Sequence, residues 1–282
     1  MDLVSELSKS LQDYNSEAFT WVTKIIATST LKVGLYIMGV LLLIELATMF
    51  EKMNNSSNGI ITVRMWTNVI MRFTFAGVMV SGSWAILQFV LLISNGLTKL
   101  IGANGGNSFD ILTNMIPNLP TPSTDLLTNI GNIINLLLNP TGALTQAIGF
   151  LVLLLLGLIV QLIAYLMVWV IIYLRFFQMY MMYVMAPIPM ASFASSEHKQ
   201  IGINYIKRFG AYAFQSAIIL IVMALYSIFT KATLSLSIPT GGMMAIFSAA
   251  TQLLAGIVQA IVFIVLIWQT LSVSKSLFGI GV

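Results

Sequence analysis

The chain has 282 residues, of which 58% are hydrophobic and 8% charged, with a formal net charge of +4 and no cysteine. A soluble domain has roughly a quarter of its residues charged and could not hide this much apolar surface, so the composition excludes a soluble globular fold. It also excludes a disulfide framework, a thiolate metal site and a cysteine nucleophile, and in a membrane protein the modest positive charge bears on loop orientation more than on nucleic-acid affinity.

Taken in chain order, the pattern predicts an all-α, polytopic helical membrane protein with about five transmembrane helices and an N-terminal amphipathic helix. Residues 1–30 form that amphipathic helix. Val4, Leu7, Leu11, Tyr14, Ala18, Trp21 and Ile25 recur at steps of three and four, with Asp2, Glu6, Lys9, Asp13 and Glu17 on the other face. Such a helix lies on the membrane surface or packs on a partner or on its own subunit. These thirty residues hold no apolar stretch followed by a small-residue cleavage site, so the first span is expected to act as the insertion signal.

Residues 31–94 hold spans one and two, at Leu31–Phe50 and Asn68–Ile93, separated by the polar turn EKMNNSSNG. Residues 95–145 are a polar stretch that opens on GANGGN and continues through PNLPTPSTD. A short amphipathic helix, capped by Ser123 or Thr124, is expected between Leu126 and Leu137.

The run from Gln146 to Phe193 contains a single charge, Arg175. As one helix it would extend about 70 Å, against a bilayer core of about 30 Å. Residues 146–194 are therefore read as one long third span with a proline-bent end. Pro187 and Pro189 cannot continue an ordinary helix, and Ala186 is pushed towards extended geometry. The methionine-rich end needs cover outside lipid, from the chain's own helices or from a neighbouring subunit. The element Ala186, Pro187, Ile188, Pro189 and Met190 is thus a candidate partner-docking bend. Residues 195–208 are a basic loop with Lys199, Lys207 and Arg208. Residues 209–282 hold spans four and five and the C-terminal stretch.

Lysine and arginine counts orient these elements. The loop with Lys199, Lys207 and Arg208 is the most basic, which places it in the cytoplasm. The stretch 95–145 carries Lys99 against Asp110 and Asp125, which places it outside. An outside loop followed by an inside loop requires an odd number of crossings between them. The run 146–194 is therefore one crossing, the N-terminus is extracytoplasmic and the C-terminus cytoplasmic.

The residues that could carry chemistry are few. Glu45 and Arg72 are charges inside the first two spans at matched depth, and an ion pair pinning those spans is the expected arrangement. The single histidine, His198, sits between Glu197 and Lys199 with no second histidine or cysteine to make a metal site. No catalytic set, phosphate loop or cofactor motif is present. The last span carries small residues at Gly241, Ala245, Ala249, Gly256 and Ala260, a helix-packing face that joins spans within one chain or between chains.

Three functional classes fit a chain of this kind. A secondary transporter would show internal repeats and polar midplane sites, which the sequence lacks. A small pore-forming protein needs neither the long outer stretch nor the basic inner loop. A scaffold subunit of a membrane secretion machine accounts for both. The Ala-Pro-x-Pro-Met-Ala element at the end of span three is followed by Glu197, Gly202, Tyr205, Lys207 and Gln215. With the five-span pattern, this resembles the TrbL-type polytopic subunits of conjugative type IV secretion systems, in the form found in Gram-positive plasmids and integrative elements. The resemblance is sharpest over Met185–Gln215. It implies a multi-pass, non-enzymatic cell-membrane channel or platform component without a cofactor. The implied partners are the lipid bilayer, other secretion subunits and their ATPases, further copies of itself, and, transiently, the translocating DNA–protein substrate.

Overall fold

The structure, a computed structural model, describes residues 3–54, 63–105, 143–233 and 243–280. Within them every regular element is helical: α1 (Leu3–Leu7), α2 (Leu11–Tyr14), α3 (Ser16–Ile25), α4 (Leu31–Asn54), α5 (Val63–Ser81), α6 (Ser83–Gly105), α7 (Ala143–Met185), α8 (Pro187–Met190), α9 (Lys199–Thr233) and α10 (Met243–Leu277). Five helices are long and apolar enough to cross a membrane: Ser16–Glu51, Ser83–Asn104, Leu155–Met185, Lys199–Phe229 and Leu254–Leu277. The chain is a helical membrane protein by length and composition of these elements.

The single amphipathic helix expected over residues 1–30 is not what forms. The segment breaks after Leu7 and again at Asn15. The physical reason is capping. Ser10 accepts a hydrogen bond from the Asp13 amide at 3.1 Å, and Asn15 accepts one from the Ala18 amide at 2.9 Å. Each cap starts a new helix with an extended residue, and this local gain overrides the apolar period. α3 then runs through a π-helical segment, Ile26–Thr30, into α4. The first membrane-length helix is therefore longer at its N-terminal end than the predicted span Leu31–Phe50.

The second span also differs. The predicted stretch Asn68–Ile93 straddles a break at Gly82, between α5 and α6. A Cβ on Gly82 would lie 2.9 Å from the Val78 carbonyl oxygen, so only glycine fits this junction. α6, not α5, has the length and apolarity of a span, and it continues through Gly105. The start of the predicted polar stretch 95–145 is thus helical. Residues 106–142, including the expected short helix at Leu126–Leu137, lie outside the described residues, and the last three residues of the stretch belong to α7.

The basic loop 195–208 is corrected too: α9 begins at Lys199, so Lys199, Lys207 and Arg208 lie on a helix. The Lys199 amide bonds the Ser195 carbonyl at 3.2 Å, the Ser195 hydroxyl lies 3.1 Å from His198 Nδ1, and Gly202 allows close packing on Phe193 and Ser192. These contacts start the helix early.

The helices fall into two compact units. The first holds Met1–Ile101, Ile172–Ile218 and Thr270–Val282. Its core includes Leu7, Leu87, Ile172, Phe176, Met179, Tyr183, Met190 and Phe209. The second holds Gly102–Ile171 and Ile219–Gln269. There Ala164 and Val168 of α7, Leu220 and Met223 of α9, and Ile257, Ala260 and Phe263 of α10 are buried, and Tyr226 packs on Phe263 at 4.7 Å between ring centroids.

Candidate functional site

Two clusters of polar chemistry lie in the first unit. The larger one is built around Arg175, which is 1% exposed. α7 brings it into the core because it falls on the same stripe as Ile172, Phe176, Met179 and Tyr183, at steps of three and four. No carboxylate lies within ion-pair distance among the described residues. Instead the guanidinium donates to backbone carbonyls: Nε to Tyr212 at 3.0 Å, Nη2 to Ala213 at 3.2 Å and Nη1 to Leu7 at 3.3 Å. A planar fork with five fixed donors suits three separated acceptors, which a lysine could not reach together.

The Ala213 carbonyl is shared. It accepts from the Ser94 hydroxyl at 2.5 Å, and the Ser216 hydroxyl lies 3.1 Å away. The Thr98 hydroxyl lies 2.8 Å from the Ser94 carbonyl and 2.8 Å from the Ser216 hydroxyl, so the two hydroxyls link α6 to α9. Further along α9, Gln215 Nε2 donates to Thr270 Oγ1 of α10 at 3.2 Å, and the Ser274 hydroxyl donates to the Ala211 carbonyl at 2.5 Å. Hydroxyl and amide contacts of this kind hold helices together where apolar burial gives no preference between lipid and protein.

The N-terminal segment closes over this cluster. Leu3, Leu7 and Leu11 are buried, and Tyr14 stacks on Phe176 with centroids 3.8 Å apart. Glu6, placed by its period on the polar face, is buried and paired with Lys9 at 2.6 Å. The Asn95 amide donates to the Lys9 carbonyl at 3.2 Å, and the Tyr180 hydroxyl contacts the Leu11 and Asn15 carbonyls.

The second cluster holds two sequence-predicted residues. Arg72 Nη1 lies 2.5 Å from Glu45 Oε1. The Glu45 side chain is 12% exposed and that of Arg72 44%. The carboxylate also accepts from the Ser196 amide at 3.3 Å and from its hydroxyl at 3.0 Å. Glu45 thus ties α4 both to α5 and to the turn before α9.

The proline bend stands beside it. Ala186 is helical, with φ −53° and ψ −42°, not extended as expected. The reason is that Pro187 and Pro189 occupy the start of α8, where the missing amides need no intrahelical partner. α8 and the 3₁₀ turn Ala191–Ala194 pack on α4 and α5. Of the proposed docking residues, Ala186, Pro187 and Met190 are buried there and cannot touch a partner directly, whereas Ile188 and Pro189 are half-buried. A Cβ on Gly34 of α4 would lie 2.7 Å from the Pro187 carbonyl oxygen and 2.9 Å from its carbon. Cover for these three comes from the chain's own helices.

Lys199 and Arg208 are exposed and Lys207 half-buried. Of the small-residue face, Ala260 is buried and a Cβ on Gly256 would lie 3.6 Å from Gln161 Nε2. Gly241 and the side chains of Ala245 and Ala249 lie outside the described residues. The described buried seam of α10 in the second unit is Ile257, Ala260, Phe263 and Ile267. Sequence reasoning missed Arg175, Ser94, Thr98 and Ser196. Arg175 had a plain signal, since it is the one charge in the run 146–193. Among the described residues no group of three or more histidine, cysteine, aspartate or glutamate side chains could hold a metal ion. No family model matches the chain, and neither the curated proteins nor the solved structures include a match to it.

Proposed function

We propose that the chain is a channel or scaffold subunit of a conjugative type IV secretion system, a multi-pass cell-membrane protein that supports transfer of a DNA–relaxase substrate. The observation that carries the reading is the placement of Met185–Gln215, the segment that bears the family resemblance. Its bend is packed on α4 and α5, the Gly202 amide donates to the Ser192 hydroxyl at 2.9 Å, the Tyr205 hydroxyl donates to the Met182 carbonyl, and Gln215 donates to Thr270. In this reading those residues build a rigid platform, and the polar groups of the spans serve assembly instead of turnover. The N-terminus and the stretch between α6 and α7 are extracytoplasmic, and Lys199, Lys207 and Arg208 face anionic headgroups or the system's ATPases. Further copies of the chain and other membrane subunits complete the channel.

A deletion strain tests this reading. Loss of the gene should abolish DNA transfer, the relaxase should still nick its substrate, and an affinity-tagged chain should bring down secretion ATPases from solubilised membranes. Normal transfer without the gene would sink the proposal, and a solute-uptake defect in its place would favour a transporter. Reporter fusions should read outside at Gly105 and inside at His198. The same side for both would end the five-span topology.

A further inference from the structure

Beside the burial of its leucines and the stacking of Tyr14, the N-terminal segment is held by side chains of α6 and α7 that bond to its main chain. Arg175, Asn95 and Tyr180 reach the carbonyls of Leu7, Lys9, Leu11 and Asn15. The carbonyls of Leu7 and Lys9 are available because the segment is broken into pieces of five and four residues before α3, whereas those of Leu11 and Asn15 also accept from the Asn15 and Phe19 amides at 3.3 and 3.0 Å. Helices this short do not persist in isolation, so α1 and α2 owe their form to the slot they occupy. The slot is prepared by α6 and α7, whose polar side chains stand where the carbonyls arrive.

Closure has opposing terms. Leu3, Leu7 and Leu11 are buried by it, which favours the closed state. Arg175 is deprived of water by it, which opposes that state, because a buried guanidinium without a carboxylate is solvated by dipoles alone. Opening would return water to Arg175 while its bonds to Tyr212 and Ala213 of α9 stay in place.

We propose that Leu3–Asn15 is a strap that leaves its slot as a unit, with Arg175, Asn95 and Tyr180 as the latch. Opening uncovers Arg175 without disturbing the helices behind it. The strap is a local unfolding unit in the sense that its free energy of opening lies below that of the core.

Amide hydrogen exchange on the full chain in lipid nanodiscs tests the strap without a reporter substitution. Residues 3–15 should exchange together and faster than residues 172–183 of α7. Tyr180→Phe and Asn95→Ala remove latch bonds but leave Arg175 in place. Each should speed exchange of 3–15 by about tenfold, the population shift that follows loss of one hydrogen bond, with 172–183 unchanged. Because the chain has no cysteine, a Leu7→Cys variant gives a second readout by maleimide labelling, with Ala213→Cys as the core control. Labelling at position 7 should rise in the latch variants while that at 213 stays flat. Exchange of 3–15 in step with 172–183, or no response to either latch variant, would overturn the proposal.

Discussion

Arg175 and Arg72 carry the same charge in the same unit and are held in opposite ways. Arg72 meets a carboxylate and keeps 44% of its side chain exposed. Arg175 meets no carboxylate among the described residues, is sealed from solvent and is bonded to three carbonyls from two segments, α9 and α1. The lesson is that proximity to an opposite charge does not rank these groups by structural importance. A partly exposed ion pair is worth little because water competes for both partners, whereas a buried fork bonded to main chain is expensive to remove. The more informative cation is the one without a counter-ion.

The largest expected effect breaks that comparison at its centre. Arg175→Ala should lower unfolding stability by about 3–5 kcal/mol, from the cavity and the orphaned carbonyls together. Arg175→Met should cost clearly less, because it refills the volume and leaves no charge to desolvate. Denaturant titration in mixed micelles measures both, and equal losses for the two variants would mean that charge, not packing, dominates.

Glu45 comes next. Glu45→Ala removes an acceptor shared by Arg72 and Ser196 and should cost about 1–3 kcal/mol. Arg72→Ala should cost about 0–1 kcal/mol, because its partner keeps the Ser196 bonds. A double-mutant cycle with Glu45→Gln and Arg72→Gln should give a coupling below about 1 kcal/mol. A larger coupling for the pair than for Arg175 and its neighbours would reverse the ranking.

The bend sharpens the comparison further. Replacing Pro187 and Pro189 with alanine should leave α8 helical and shift the melting temperature only slightly, since Ala186 is already helical and the cover is internal. If transfer is lost while the fold persists, the half-buried Ile188 and Pro189 are the surface to pursue.

The smallest effect is a pH dependence in the strap. Burial, and then the nearby Glu6, raise the Tyr14 phenol above its ordinary value of 10.0. The folded state therefore holds this proton more tightly than the unfolded one. Its contribution is complete below that ordinary value and is lost as the pH rises through the folded one. Exchange of residues 3–15 should accelerate above pH 10, beyond the intrinsic base-catalysed rate, and Tyr14→Phe should remove that excess.

Much of the fold is legible in the sequence because apolar length is a one-dimensional property. α4, α7, α9 and α10 announce themselves by runs with few charges and the proline pair marks a break, whereas the expected span Asn68–Ile93 runs across the break at Gly82 and misses the end of α6. The N-terminal region was misread because two signals conflicted. The apolar period favoured one helix, and Ser10 and Asn15 favoured three pieces; the caps won since each satisfies a specific amide. Lys199–Arg208 was misread because charge suggested a loop where Ser195 and Gly202 start a helix. The Arg175 cluster depends on Leu7, Ser94 and Tyr212 meeting in space, and no spacing along the chain encodes that.

Gly34 has a genetic consequence. A methyl group there would strike the carbonyl oxygen and carbon of Pro187, atoms that every residue type carries. No substitution at position 187 can remove them, so the two sites cannot compensate for one another by exchanging large and small side chains. Suppressors of Gly34→Ala should therefore fall where whole segments can shift, in the π segment Ile26–Thr30 or the turn before α9, and not at the point of collision.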